Sequence, residues 1–463
     1  RFVLSDKKSA RGGGKGETNM NPFNEKPMKL EDQMQDWKRL YPKAYDKNEI
    51  SPYSKTRVIL MNGTEFEANW FSHQFARHTD NDELRRDLAL CREAEKQQQL
   101  KLSLLKPKNE SVLEHTIGYE QLAVDLTAEL AARAEDCNVK KALDFALLED
   151  FDHLYRYADL LEMEQKIHAE NLVGKYTEIM PGRPTVSHHR YPKDNVRTPI
   201  NIKTAEPFTV LSAMIITAAE QQTMNYYMNV ATFAKTELAR RLYQEIALVE
   251  EEHVTQYESL NDPDATWLEM LLCHEYAECY LYYSCYMTES DAYLKKIWEE
   301  YFGFEIAHLH KAAELLRKYE HKDWQQVLKS GEFPQPLSLH ENIDYVRGIL
   351  SSTAQYTSVR NDYKNVDELD KNADFFRFQR LTNKNVENAP SHKVIEKHVS
   401  LYGADYRFQK KASPVPALRS RKKDDLTVGR VAGAAESVGF SCNVRGGGAT
   451  KSRPARSSAK SKK

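Results

Sequence analysis

The chain has 463 residues, 41% hydrophobic and 29% charged, with a formal net charge of −2; these are the proportions of an ordinary soluble protein rather than of a disordered or membrane one. No stretch reaches the roughly 20 apolar residues that a spanning helix needs, and no apolar run follows the first basic residues, so neither a membrane segment nor a secretory signal is expected. Six cysteines (Cys91, Cys137, Cys273, Cys279, Cys285 and Cys442) are dispersed without a C-x-x-C pair, which argues against a zinc ribbon or rubredoxin-type iron site and suits a reducing cytoplasm.

In chain order, residues 1–19 with "ARGGGKGETN" read as a disordered extension, and Met20 as a natural start. Residues 20–110 form a helical and irregular segment in which 83–105 carries a helical pattern. Ser111 and Glu114 then match the S-x-x-E capping box, in which each side chain accepts from the other's orphan backbone N–H. Beyond it a 3.6-residue apolar period predicts six long helices, over 112–134, 139–173, 207–233, 237–260, 265–287 and 291–319. Residues 174–206 interrupt them with four prolines and no helical period. The expected units are a four-helix bundle over 111–260, an additional hairpin over 261–330, and a small helical appendage over 331–408 whose clearest helix is "NIDYVRGIL". A disordered basic tail closes the chain over 409–463. From Lys410 onward there are 14 Lys/Arg against 3 Asp/Glu; an inert extension is preferred slightly over non-specific attraction to nucleic acid.

An internal repeat runs through the bundle. "YEQLAVDL" (119–126) and "AEQQTMNY" (219–226) share Glu-Gln at an offset of 100 residues, and "EDFDHLYRY" (149–157) lies over "VEEEHVTQY" (249–257) at the same offset. Glu120 thus matches Glu220, Asp150 matches Glu250, His153 matches His253 and Tyr157 matches Tyr257. In each repeat the lone acid precedes an acid-x-x-His pair by 30 residues. Two residues of an antiparallel hairpin stand level only if the turn falls midway between them. The midpoints are residue 135, beside the turn-favouring Asp136 and Asn138, and residue 235, beside Thr236, a natural cap. Each lone acid therefore stands level with its pair, about 22 Å from the turn.

The same residues share helix faces with apolar neighbours: Glu120 with Leu113, Ile117 and Val124, and Glu220 with Ala213, Ile216, Met224 and Tyr227. Asp150 and His153 lie with Ala146, Leu154 and Tyr157, and Glu250 and His253 with Ile246, Val254 and Tyr257. Burying one unpartnered carboxylate costs several kcal/mol, and four together force some to protonate. A pair of divalent ions would neutralise them, and carboxylate with imidazole suits iron or manganese.

Glu120, Asp150-x-x-His153, a long connection, Glu220 and Glu250-x-x-His253 resemble the ferritin-like di-iron carboxylate superfamily, including its rubrerythrin-like and di-iron oxygenase-like members. That family uses one Glu from each of two helices and Glu-x-x-His from the other two. The resemblance covers about residues 111–260. It implies an all-α, ferritin-like four-helix bundle with one long crossover, extended by additional helices. It also implies metal ligands at Glu120, Asp150, His153, Glu220, Glu250 and His253 for two Fe ions, with Mn an option. Asp150 departs from the family's Glu and is one methylene shorter; Glu149 is the substitute if the helix is rotated. Tyr119, Tyr157, Tyr226, Tyr227 and Tyr257 are near enough in sequence to reach the site, whereas His188 and His189 read as loop residues. Cys273, Cys279 and Cys285 spread round one helix and share no site.

A third hairpin repeats the spacing with Glu275 and Glu305-x-x-His308, Glu278 sharing the Glu275 face. It is either half of the metal bundle in place of the first hairpin, a separate functional set, or neither; the short join "LNDPDAT" favours the first two hairpins as the bundle. The reading is a di-iron (or Fe/Mn) carboxylate oxidoreductase that uses O2 or peroxide and an external electron donor, with a homodimer left open. The alternatives are a ferroxidase or iron-storage protein and a metal-free helical binding protein. No catalytic residue beyond the ligands is singled out.

Overall fold

The computed structural model describes residues 20–403, apart from 175, 176 and 178, together with Leu426–Thr427 and Arg430–Val431. The N-terminal extension lies outside the described residues, and so does the basic tail except for those four, which pair as two antiparallel strands.

The helices are α1 (Trp37–Leu40), α2 (Pro52–Arg77), α3 (Asp82–Leu105), α4 (Val112–Arg133), α5 (Cys137–Gln165), α6 (Thr185–His188), α7 (Pro207–Val230), α8 (Glu237–Glu258), α9 (Trp267–Thr288), α10 (Ala292–Glu320), α11 (Ile343–Thr353), α12 (Asp374–Thr382) and α13 (Pro390–Tyr402). Besides short 3-10 turns, the described residues hold four short strands: β1 (Tyr356–Val359) against β2 (Asp362–Asn365), and β3 (Leu426–Thr427) against β4 (Arg430–Val431). The chain is therefore all-α in class.

Eight long helices make four antiparallel hairpins, α2/α3, α4/α5, α7/α8 and α9/α10. The inner two pack together through α4 against α7 and α5 against α8; the outer two pack through α2 against α9 and α3 against α10. The first helix of every hairpin lies between the two halves, where α2 touches α4 and α7, and α7 touches α9. That position explains why α2 has no legible period. It packs on several sides, so Val58–Met61 and also Asn62, Thr64, Glu65, Glu67 and Asn69 are buried, and no polar stripe alternates with an apolar one. Its start is nevertheless well marked, with Ser51 accepting from Ser54 N at 3.1 Å and Pro52 at the first helical position. At Gly63 a Cβ would lie 2.4 Å from Nε2 of Gln222 on α7, so a larger residue there would require the Gln222 side chain to shift.

The bundle helices begin where the caps require. Ser111 and Glu114 form the expected capping box, Asp136 caps α5 through Asn138 N and Val139 N, both at 2.9 Å, and Thr236 caps α8 through Ala239 N at 3.1 Å. Helix α5 stops at Gln165 rather than running to 173, because Lys166 turns left-handed with φ 60° and closes it. The crossover 174–206 lies on α5: Arg183 N donates to Leu148 O at 3.0 Å, and Gly182 N donates to Asp152 Oδ1 at 3.0 Å. After α10 the chain returns to the inner hairpins, α11 packing on α4 and α5, and α13 on α5 and α8. The stretch expected as a small helical appendage holds α11, α12 and α13 and also the β1–β2 hairpin, paired Tyr356↔Asn365 through Val359↔Asp362.

Candidate metal centre

The turn between α4 and α5 spans residues 134–136 and that between α7 and α8 falls before Glu237, so each lone acid stands level with its partner pair. The result is two overlapping groups. Asp150, Glu220, Glu250 and His253 form one, and Glu120, His153 and Glu250 the other; within each group one ligand atom of every member lies within 4.8 Å of the rest. Glu250 belongs to both. None of the six is more than 1% exposed, so water does not neutralise them.

Nδ1 of His253 is 2.9 Å from Glu250, 3.3 Å from Asp150 and 3.7 Å from Glu220. On the other side, His153 Nδ1 is 3.1 Å from Glu250 Oε1. Glu120 Oε2, Asp150 Oδ1, both oxygens of Glu220, Glu250 Oε2, His253 Nδ1 and His153 Nε2 find no hydrogen-bond partner among the described residues. Orphaned buried acceptors are expensive, and those of Asp150, Glu220, Glu250 and His253 converge, which is the arrangement a cation satisfies.

The far sides of the ligands are held. His253 Nε2 is 2.8 Å from Glu149 Oε2, and Glu149 in turn pairs with Arg190 and with Arg183 at 3.5 Å. A carboxylate on Nε2 fixes the proton there and leaves the Nδ1 lone pair facing Asp150, Glu220 and Glu250. The hydroxyl of Tyr227 donates to Glu120 Oε1, and Thr127 Oγ1 donates to Asp150 Oδ2 at 3.2 Å.

Burial, then the charge of neighbouring carboxylates, pushes Glu120 and Asp150 upward, and the same causes bring Glu220 to about 7. Burial opposes ionisation of Glu250 too, but His153 and His253 outweigh it and hold that carboxyl at about 2. At Glu149 burial is likewise overcome, by Arg190 first and then His253, so it stays far below the usual carboxylate range.

All six residues singled out in the sequence thus meet around two adjacent points. Glu149 faces the crossover arginines rather than substituting for Asp150. His188 and His189 are not loose: His188 Nε2 lies 3.1 Å from Asp152 Oδ2 and His189 Nε2 lies 2.7 Å from Glu245, both histidines buried. The third hairpin joins neither group. Glu275 and His308 meet Glu95, and Glu278 and Glu305 meet Glu65, so the second and third hairpins do not form one cage. Sequence reasoning passed over Glu65 and Glu95, although they too are 30 residues apart; Gln98 follows Glu95 where the pattern asks for His. It also passed over Arg183 and Arg190, which sit in a segment without periodicity. No protein-family model, curated protein or solved structure matches the chain, so the site is interpreted from its own geometry.

Proposed function

We propose that the chain is a di-iron, or iron–manganese, carboxylate oxidoreductase of the ferritin-like kind, with α4, α5, α7 and α8 as its metal bundle and O2 or peroxide as oxidant. The observation that carries this reading is Glu250, a single carboxylate common to two groups that each contain an imidazole. Glu250 would be available to both groups, and a donor set of nitrogen and carboxylate oxygen without thiolate would suit iron or manganese. When bound, such a pair supplies two electrons to a small oxidant.

The protein's own part is positional. Asp150, Glu220 and His253 complete one subsite, and Glu120 and His153 the other, while Glu149 and Tyr227 orient a ligand in each. The full burial of all six favours an oxidant of two or three atoms over a bulky substrate. Electrons come from a separate donor.

Elemental analysis of the purified chain and absorption spectra before and after the reduced protein meets O2 test the reading. About two irons per chain and an oxidation-dependent spectral change are expected. A chain that binds no metal after anaerobic loading with Fe2+ contradicts it, and shell-sized particles on a sizing column would point to storage instead.

A further inference from the structure

The outer hairpins repeat the inner arrangement. Glu65, Glu95 and Gln98 stand 55 residues before Glu120, Asp150 and His153, and Glu275, Tyr282, Glu305 and His308 stand 55 residues after Glu220, Tyr227, Glu250 and His253. Tyr282 donates to Glu65 as Tyr227 donates to Glu120. Three positions differ: Glu95 stands in place of Asp150, the amide of Gln98 stands in place of His153, and Glu278 adds an acid where the inner set has Thr223. We infer that α2, α3, α9 and α10 enclose a second metal centre, in which a divalent cation sits between Glu95, Glu275 and Nδ1 of His308.

The orientation of His308 carries the argument. Gln33 Nε2 donates to Phe304 O at 3.1 Å, which leaves its Oε1 to face His308 Nε2 at 2.7 Å. An acceptor there places the proton of the neutral ring on Nε2. The Nδ1 lone pair then faces Glu305 at 3.1 Å, Glu275 at 3.9 Å and Glu95 at 4.0 Å. Acceptors aimed at one another repel unless a second ring proton or a cation lies among them. Gln33 therefore does for His308 what Glu149 does for His253.

The charge count agrees. Glu65, Glu95, Glu275, Glu278 and Glu305 are all buried, and among the described residues none of the five pairs with a Lys or Arg. One oxygen on each of Glu65, Glu95, Glu275 and Glu278 has no hydrogen-bond partner among the described residues. A second proton on His308 would offset only one of five charges. Protons on the acids are the competing solution: burial lifts Glu65, Glu275 and Glu278 and brings Glu95 to about 7.

Gln98 sets the character of the site. Its Nε2 donates to Glu65 at 2.9 Å and to Glu305 at 2.6 Å, tying up oxygens on the side where a second imidazole would stand. The centre thus has one nitrogen-bearing subsite beside an all-oxygen group of Glu65, Glu278 and Glu305, a donor set that suits Mn2+. The inference does not depend on the inner centre being occupied.

Mn2+ alone is the probe, added to the full chain after metal has been stripped. With Glu250→Gln and His253→Ala disabling the inner centre, about one Mn2+ per chain should survive desalting, and adding Glu275→Gln with His308→Ala should remove it. Absence of Mn2+ from the inner-centre variant overturns the second centre. Equal Mn2+ in that variant and the unaltered chain would instead overturn the inner centre and leave the second standing. Thermal melting covers the case in which multiple substitutions impair folding: in the otherwise unaltered chain, His308→Gln should lower Mn2+ content by about one per chain and shrink the rise in Tm that excess Mn2+ produces. Content and melting both unchanged by His308→Gln would also overturn it.

Discussion

Glu149 accepts from Nε2 of His253 at 2.8 Å, and so turns the opposite nitrogen of that ring toward Asp150, Glu220 and Glu250. Glu149 is adjacent in sequence to Asp150 but lies outside both groups. Its own charge is met by Arg190 and Arg183 from the crossover, so the crossover reaches the proposed metal ligands through two contacts. Glu149→Gln removes the charge that supports the ring and keeps all six ligands. Outer partners of this kind are worth about 10–100-fold in metal affinity. Competition against a chromophoric chelator should show a loss of that order with stoichiometry retained; unchanged affinity would mean the ring is held by something other than Glu149.

Glu250 should behave unlike its neighbours. It is shared by both groups, whereas Glu120 belongs only to the one with His153, and Glu220 only to the one with His253. Glu250→Gln is therefore expected to lower iron content at the inner centre by about two ions per chain, and Glu120→Gln or Glu220→Gln by about one each. Elemental analysis of the three variants side by side decides the matter. Equal losses from all three would remove the case for a shared carboxylate.

Much of this arrangement was legible because its determinants are local. Rise per residue and capping at Ser111, Asp136 and Thr236 fix the heights of Glu120, Asp150, Glu220 and Glu250, so hairpin geometry follows from spacing alone. What was not legible depends on tertiary packing. Helix α2 is buried on several sides and shows no stripe, which hid Glu65, and Gln98 breaks the acid-x-x-His pattern that would have exposed Glu95. Tyr227 is one of 25 tyrosines; its place on the Glu220 face was legible, but its hydrogen bond to Glu120 on a different helix depends on how α4 and α7 pack. Arg183 and Arg190 become partners of Glu149 only once the crossover is laid along α5.

That crossover is pinned at Gly182. A Cβ there would stand 2.3 Å from Leu148 O and 2.8 Å from Asp152 N, both backbone atoms of α5 that cannot move without disturbing Asp150 and His153. Gly182→Ala must therefore lift the crossover, weakening the Gly182 N to Asp152 Oδ1 bond and the bond from Arg183 N to Leu148 O. A loss of about 1–3 kcal/mol in denaturant unfolding is expected, the usual cost of forcing a group into a packed site, together with weaker metal binding. Gly63→Ala is the comparison. Its Cβ would meet chiefly the Gln222 side chain, so it should cost stability while leaving the affinity of the inner centre close to that of the unaltered chain.

The crossover is pinned a second time by His189, whose Nε2 lies 2.7 Å from Glu245 Oε1 on α8; Ser391, at the start of α13, also donates to Glu245. Burial works against both charges, but the partner overcomes it in each case. His189 is raised above its ordinary 6.5, and Glu245 is lowered from 4.5 to about 2. The two signs differ. The contribution of Glu245 is present above pH 4.5 and is lost as pH falls toward 2. That of His189 is present below pH 6.5 and is lost as pH rises from there through its raised folded value. The pair therefore stabilises most between pH 4.5 and 6.5. His189→Gln strands a buried carboxylate, a defect that costs about 3–5 kcal/mol when nothing compensates it. Urea unfolding of the metal-free protein at several pH values should show the gap between the unaltered chain and His189→Gln widest in that window and narrowing on both sides; a gap independent of pH would show that His189 holds the crossover by packing and not by charge.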